Sequence, residues 1–183
     1  MPAYARSRFP RIGRSAWLAA AWAALAAMSF LSCGREAGGD EEFSLIAESL
    51  GDVPMHEDAL KIDNLAKAHD GSMATRWTTV CNMEPGFFVQ ITFPGRRKVA
   101  GLVLNSEPSP FDFPRRFTVE ASADGENWKE VARGGPKKTV DGITTIDFKE
   151  PVEAESIIIT VNKAARFWWS VYELEIKYAD EPA

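Results

Sequence analysis

The sequence predicts an all-β protein, an antiparallel sandwich or jelly roll of about eight short strands. Several short segments alternate apolar and polar residues with a period of two, as strands with one buried face do. Gly, Pro and Asp-Gly turn signals separate these segments, and no long amphipathic helical pattern follows residue 42. Many short strands divided by turns are typical of antiparallel sandwiches.

The N-terminal part has the pattern of a secretory signal peptide. Residues 1–32 combine an Arg-rich start without acidic residues and an Ala-rich apolar stretch at 16–31, too short for a membrane span. Small residues before Cys33 resemble the lipobox of bacterial lipoproteins, in which this Cys becomes the lipidated first residue. The alternative is an uncleaved N-terminal anchor. Because Gly34 stands where an Asp would resemble an inner-membrane retention signal, we expect the outer membrane or cell surface of a bacterial envelope.

Residues 33–42 are Gly-rich and acidic, which predicts a tether ahead of one domain at 43–180. Without the four Arg of residues 1–32, 17 Lys and Arg remain against 26 Asp and Glu, a net charge of about −9. This balance argues against binding to nucleic acid or anionic lipid. If Cys33 carries lipid, Cys81 has no partner for a disulfide, and a buried, inert thiol is expected.

The strands are assigned in chain order. Residues 43–49 favour a strand, although a helix is possible at this length, and residues 62–68 predict one helical turn that ends at Asp70-Gly71. Residues 87–93 alternate clearly, Pro94-Gly95 turns the chain, and residues 99–105 form a strand. A hairpin at Asp124-Gly125 joins residues 116–122 to a strand that begins at Trp128. The remaining strands are predicted at 144–148, 157–161 and 172–178, with the first and last strands close together.

Catalysis has little support in the sequence. There is no nucleophile-elbow Ser or Cys and no Gly-rich phosphate loop, and His56 and His69 are the only two histidines. We therefore predict a protein that is not an enzyme.

A cation site is one interpretation of residues 67–75. Lys67, Asp70, Ser72 and Thr75 are spaced so that carbonyl and side-chain oxygens can surround one hard cation, and Glu173 can complete the shell. The alternative is an ordinary Asp-Gly turn and a solvated Glu.

Five stretches in order resemble a discoidin domain, also called the coagulation factor V/VIII type C domain, which has the galactose-binding-like β-sandwich of many bacterial carbohydrate-binding modules. They are residues 70–77 (DGSMATRW), 88–93 (FVQITF), 99–104 (VAGLVL), 117–128 (FTVEASADGENW) and 169–176 (WSVYELEI). The resemblance covers residues 43–178 and implies, in bacterial members, a structural calcium. Its ligands are then the carbonyls of Lys67, Thr75 and Tyr172 and the side chains of Asp70 and Glu173. Ser72 stands where the family usually has Asp or Asn.

The resemblance does not extend to galactose specificity, because Thr78 stands where galactose-binding members have a His. A flat apolar ring and a few directed polar groups are what sugar recognition needs. The expected ligand-binding residues are Thr78, Glu107, Phe111, Asp112, Arg115, Phe167 and Trp168. In the alternative, Trp169 and Trp168 close the end of the sandwich and Phe113 belongs to the core. We expect a non-catalytic binding module for carbohydrate or a surface ligand, or else a protein-interaction subunit of an envelope complex.

Overall fold

A computed structural model describes residues 43–179, and within them antiparallel β-strands dominate, as predicted. The strands are β1 (Ser44–Ser49), β2 (Trp77–Thr78), β3 (Phe87–Asn105), β4 (Phe117–Ser122), β5 (Lys129–Gly134), β6 (Thr139–Val140), β7 (Ile143–Val161), β8 (Ser170–Val171) and β9 (Glu173–Tyr178). Helix α1 spans Ile62–Leu65, and short 3₁₀ turns cover Glu57–Leu60, Ala66–Ala68 and Pro136–Lys138. The predicted signal peptide, the tether and the lipidation site at Cys33 lie outside the described residues. Among residues 43–179, no helix is long and apolar enough to cross a membrane.

Two long strands, β3 and β7, run through both layers of the sandwich. The first half of β3 lies between β1 and the second half of β7, followed by β4 and β5. The second half of β3 lies between β9 and the first half of β7, which also pairs with β6. One cluster of buried apolar residues takes members from both halves, so the two layers enclose a common core.

The predicted turn at Pro94-Gly95 is wrong, because β3 continues through it. The register between β3 and β7 shifts between Thr92 and Arg97, and residues 94–98 are exposed. A bulge tolerates a proline, since the missing N–H is not needed in the ladder there. In the same way, the strands predicted at 144–148 and 157–161 are parts of the single strand β7, which is exposed at residues 149–151.

Local turn chemistry explains the hairpin between β4 and β5, which is confirmed. Gly125 has a φ of 74°, and the Asp124 carboxylate accepts hydrogen bonds from the backbone N–H groups of Glu126 and Asn127 at 2.9 and 2.8 Å. The Asn127 side chain donates to the same carboxylate, and these bonds hold the pKa of Asp124 far below its usual range. The segment at 43–49 is the strand β1, so the helical alternative is excluded.

The two ends of the sandwich differ in what they carry. At one, the bend end, the exposed residues 94–98 and 149–151 connect the layers. Phe43 and Tyr178 also lie there, with ring centroids 6.3 and 6.4 Å from Phe93, so the first and last strands are close, as predicted. At the opposite end, the loop end, lie segments 106–116, 135–142 (which includes β6) and 162–169, and segment 50–86 between β1 and β3 also begins and ends there.

Candidate functional site

Two buried tryptophans form the floor of the loop end. Trp77 and Trp169 are each 1% exposed, and their rings meet edge to face with centroids 5.3 Å apart. The Trp77 indole donates a hydrogen bond to the Ala59 carbonyl at 2.8 Å, so its polar atom is satisfied inside the protein. The interpretation in which Trp169 closes the sandwich is therefore confirmed, whereas the adjacent Trp168 is 39% exposed.

Above this floor, exposed aromatic side chains from two different loops meet. Phe111 is 63% exposed and Phe167 is 43% exposed, and their rings stack with centroids 5.8 Å apart and planes 26° from parallel. We call these two residues the aromatic pair. Because water-exposed rings are usually scattered singly, a pair assembled across two loops indicates a contact surface.

Arg115 is fixed beside the aromatic pair. Its guanidinium carbon lies 3.8 Å from the Phe113 ring centroid and 5.1 Å from that of Phe167. One Nη donates a hydrogen bond to the Phe111 carbonyl at 2.8 Å. Burial lowers the pKa of Arg115 and the nearby Asp112 raises it, and the group stays charged because arginine pKa values are so high. Phe113 is half-buried under Arg115, outside the apolar core.

Thr78 and Asp112 are brought together by a residue that lies between them. The Ser170 hydroxyl is 2.8 Å from Asp112 Oδ2 and 3.3 Å from Thr78 Oγ1, and the Ser170 N–H donates to the Asp112 carbonyl at 3.0 Å. The Thr78 hydroxyl and the Asp112 carboxylate are therefore already within hydrogen-bond distance of another residue of the protein. The two hydrogen bonds between Ser170 and Asp112 connect the 106–116 loop to β8.

Arg76 belongs to this network, and sequence reasoning missed it. Its Nη1 donates to Ser109 Oγ at 2.6 Å and to the Tyr172 hydroxyl at 3.0 Å, and lies 4.0 Å from Asp112 Oδ2. The guanidinium also lies over the Tyr172 ring, 5.6 Å from its centroid. Its sequence context gave no signal, because Arg76 precedes the two-residue strand β2, which is too short to show alternation.

Glu107 lies apart from the aromatic pair. Its N–H donates to Asn105 Oδ1 at 2.9 Å. Its side chain lines a shallow groove of about 530 Å³ on the β6–β7 side, together with Lys137, Lys138, Val140, Asp141, Ile143, Thr145 and Asp147. In this groove, a hydrogen bond from Lys177 at 2.8 Å lowers the pKa of Asp147.

Four of the predicted cation ligands converge. The Ser72 N–H donates to Asp70 Oδ1 at 3.0 Å and to Glu173 Oε1 at 2.9 Å, so the loop carboxylate meets the β9 carboxylate at one point. The Thr75 hydroxyl donates to Asp70 Oδ2 at 2.6 Å, and Gly71 permits the turn with a φ of 74°.

The residues present fit a hard cation. In the described chain, neither Asp70 nor Glu173 has an ion-pair partner, and the Lys67 ammonium instead donates to Asn64 Oδ1 at 2.7 Å. Unneutralised carboxylates with hydroxyl and carbonyl oxygens nearby are the donors that calcium prefers. Within residues 43–179, no three His, Cys, Asp or Glu side chains are placed so that they could hold a metal ion by themselves, so carbonyls such as those of Lys67, Thr75 and Tyr172 would have to complete the shell.

The sequence that forms this site matches a known domain family. The F5/8 type C domain family matches residues 56–174, more than half of the chain. The chain belongs to the F5/8 type C domain family. The match runs from the helical segment through both tryptophans to the start of β9, so this F5/8 type C domain contains segments 106–116, 135–142 and 162–169 of the loop end.

Solved structures share the fold of this F5/8 type C domain. The family 32 carbohydrate-binding module of Clostridium perfringens NanJ, in complex with galactose, is 21% identical, with a TM-score of 0.55 over 74% of this chain and 93% of that one. A second Clostridium perfringens module, bound to GalNAc-β-1,3-galactose, is 16% identical, with a TM-score of 0.56 over 74% and 95%. A chitosan-binding module from Paenibacillus sp. IK-5 is 21% identical, with a TM-score of 0.53 over 74% and 94%. No curated protein sequence matches the chain.

Proposed function

We propose that this F5/8 type C domain is a non-catalytic carbohydrate-binding module whose ligand lies on the loop end. The observation that carries the proposal is the aromatic pair, two exposed rings from separate loops with a guanidinium fixed beside them. A flat ring suits the apolar C–H face of a sugar, and a rigid charged donor suits its hydroxyl or acidic groups.

The similar structures support the class of ligand, since two of those modules are in complex with galactose or a GalNAc-containing disaccharide and the third is named a chitosan-binding module. Specificity for galactose is not part of the proposal. Thr78 stands at the position where the family's galactose-binding members have a His, and its hydroxyl is within hydrogen-bond distance of Ser170.

A second candidate function is docking on a protein of the envelope. It is favoured by exposed apolar side chains in the segment between β1 and β2, namely Leu50 at 56%, Val53 at 50%, Leu60 at 43% and Ile62 at 80% exposure. In that function the aromatic pair would contact no sugar. The binding experiment below separates the two candidates.

The proposal includes a lipid anchor at Cys33 in a bacterial cell envelope. Its support lies in the sequence, where an Arg-rich start and an Ala-rich apolar stretch precede the small residues before Cys33. Labelling of whole cells with a membrane-impermeant reagent at a cysteine introduced for Trp168 would test this arrangement, with the Cys81→Ala background as control.

The test of sugar binding uses residues 40–183, which form a compact unit of their own. A glycan array gives the ligand class, and calorimetry measures the affinity of the best ligand. Phe111→Ala and Trp168→Ala are each expected to weaken binding about tenfold or more, because a central aromatic contact contributes more than 1 kcal/mol. Ile62→Ala truncates an exposed apolar side chain in the segment between β1 and β2 and should leave affinity unchanged. An array without hits for a folded domain would favour protein docking.

We further propose a structural calcium held by Asp70, Ser72, Thr75 and Glu173 with the carbonyls of Lys67, Thr75 and Tyr172. The ion would neutralise the two carboxylates and join the 67–75 loop to β9. After chelation, saturating calcium is expected to raise the melting temperature by roughly 5–10 °C, as binding to the native state at about a hundred times Kd stabilises by about 2.7 kcal/mol. Glu173→Gln should abolish the rise, whereas Glu175→Gln, on the exposed face of the same strand, should retain it. An unchanged melting temperature with calcium would remove the site.

A further inference from the structure

We infer that Val80 and Trp168 form a second sugar-contact surface next to the aromatic pair, so that the ligand of the loop end contains at least two linked sugar rings. This inference rests on the proposed function and deepens it by assigning a further contact residue, Val80, and a minimum size of the ligand. Val80 follows β2 and Trp168 precedes β8, the two short strands that pair with each other.

Val80 has a backbone conformation that valine rarely adopts. Its φ is 55°, and among the described residues other than glycine only Asp141 also has a positive φ. Aspartate tolerates the left-handed region because its short polar side chain can hydrogen-bond locally, whereas the branched valine side chain crowds the backbone there. Strained residues of this kind persist only where surrounding contacts impose them, and they cluster at binding sites. The strain therefore indicates a function for the Val80 side chain.

Buried hydrogen bonds impose this conformation. The Thr79 N–H donates to the Trp169 carbonyl at 3.0 Å, and the Trp169 N–H donates back to the Thr79 hydroxyl at 3.0 Å. The same hydroxyl donates to the Cys81 carbonyl at 2.8 Å, so both neighbours of Val80 are held. Because Thr79 is completely buried and bound to a tryptophan of the floor, the turn at Val80 cannot relax without breaking these bonds.

The pairing register places Val80 opposite Trp168. Two pairs define this register, one inside the short strands and one beyond them: Thr78 with Ser170, and Met83 with Ala165. Both pairs belong to the same antiparallel register, and in that register position 80 faces position 168. Opposite positions of paired segments are the ones whose side chains come closest to each other.

Both positions belong to the outward face of this pairing. Successive positions of an extended segment alternate between two faces. The inward positions are the buried ones: Trp77, Thr79, Trp169 and Val171. Between them stand Val80, which is half-buried, and Trp168, which is 39% exposed. Val80 is not part of the apolar core, whereas its neighbour Cys81 packs against that core. The valine is therefore not retained in order to fill the core.

Trp168 and the aromatic pair are separate ring surfaces. Phe111 and Phe167 stack on each other, whereas the Trp168 ring stacks on no other aromatic ring among residues 43–179. A sugar ring presents its apolar C–H face to one aromatic surface. Because Phe167 and Trp168 are adjacent in the chain, with Cα atoms about 3.8 Å apart, one short oligosaccharide can reach both surfaces. The arrangement fits two linked sugar rings, one on the aromatic pair and the next on Trp168 and Val80.

The experiment compares monosaccharides with oligosaccharides that end in the same sugar. The probes are GalNAc and GalNAc-β-1,3-galactose, galactose and lactose, glucosamine and its dimer from chitosan, and the best glycan-array ligand with its terminal monosaccharide, each titrated against residues 40–183. In at least one pair, the larger member is expected to bind about tenfold or more tightly. Phe111→Ala should weaken binding of both members of that pair, whereas Trp168→Ala should weaken binding of the larger member only.

Val80→Asn tests the new contact residue. Asparagine adopts the left-handed conformation at a lower cost and replaces the apolar branches with an amide. We expect the melting temperature to rise by about 2–5 °C because the backbone strain is relieved. The affinity for the larger sugar should fall about fivefold or more, while that for the monosaccharide stays unchanged. Val80→Ala removes the branches without relieving the strain, and it should lower the same affinity without raising the melting temperature.

The matched control is Val140→Asn, the same substitution at a valine of β6 that is 69% exposed and has no positive φ. It should neither raise the melting temperature nor change either affinity. Equal affinities for both members of every pair overturn this inference but not the proposed function, and so does an unchanged affinity for the larger sugar in both Val80 variants. Binding of no sugar, on the array or in titration, overturns both.

Discussion

Trp169→Ala is expected to destabilise the domain by about 3–5 kcal/mol, the cost of truncating a large buried aromatic side chain. Trp169 is 1% exposed and meets Trp77 edge to face, so its removal leaves a cavity and an unsupported partner. The surrounding side chains already leave almost no free space, with a void of about 10 Å³ between the layers. Because domains of this size are stable by only about 5–15 kcal/mol, the loss is a large fraction of the total.

Urea denaturation followed by circular dichroism measures the effect, with chelator present so that metal does not contribute. The adjacent Trp168→Ala is the matched control, since the same side chain is removed from a 39% exposed position. It should cost less than about 1 kcal/mol. Equal midpoints for the two variants would mean that Trp169 does not close the core as described.

The sequence predicts elements well where a strand has one buried and one exposed face. β4 and β9 show regular alternation, and both are found within one residue of the predicted bounds. Prediction fails at the bend end, because Pro94-Gly95 has the chemistry of a turn, yet the chain there is a bulge inside one long strand. A proline indicates only that its position lacks a backbone N–H for the ladder, and a turn and a bulge can both accommodate such a position.

The site is predicted less completely because its contacts join residues far apart in sequence. Phe111 and Phe167 are identifiable as loop aromatics, but their stacking depends on how two loops fold over the tryptophan floor. Glu107 illustrates the limit, since it shares a loop with Phe111 and yet faces a different groove. Strands of two residues, such as β2 and β8, are too short to show alternation, which is why Arg76 went unnoticed.

Arg76→Met is the second prediction, and it concerns how the loop end keeps its shape. The 106–116 loop carries Phe111 and Arg115, and Arg76 holds it through Ser109 while stacking on Tyr172. Methionine retains the apolar stem but removes the charge and the donors. We expect the free energy of unfolding to fall by about 1–3 kcal/mol, the usual cost of leaving partly buried hydrogen-bonding groups unpaired. Sugar affinity is expected to fall about tenfold or more, because the aromatic pair is no longer preorganised.

Three comparisons distinguish positioning from a general loss of structure. Calcium-dependent stabilisation, which involves Asp70 and Glu173, should be retained in Arg76→Met. Tyr172→Phe removes one hydroxyl, which accepts from Arg76 and lies 3.1 Å from Ser109 Oγ, but keeps the ring under the guanidinium and the Arg76–Ser109 bond, so its effect on affinity should be smaller. Arg76→Lys should recover little, because a lysine cannot reproduce the fork geometry that serves several acceptors. If Arg76→Met binds sugar as tightly as the unmodified domain, the backbone bond from Ser170 to Asp112 is sufficient to hold the loop, and Arg76 has no positioning role.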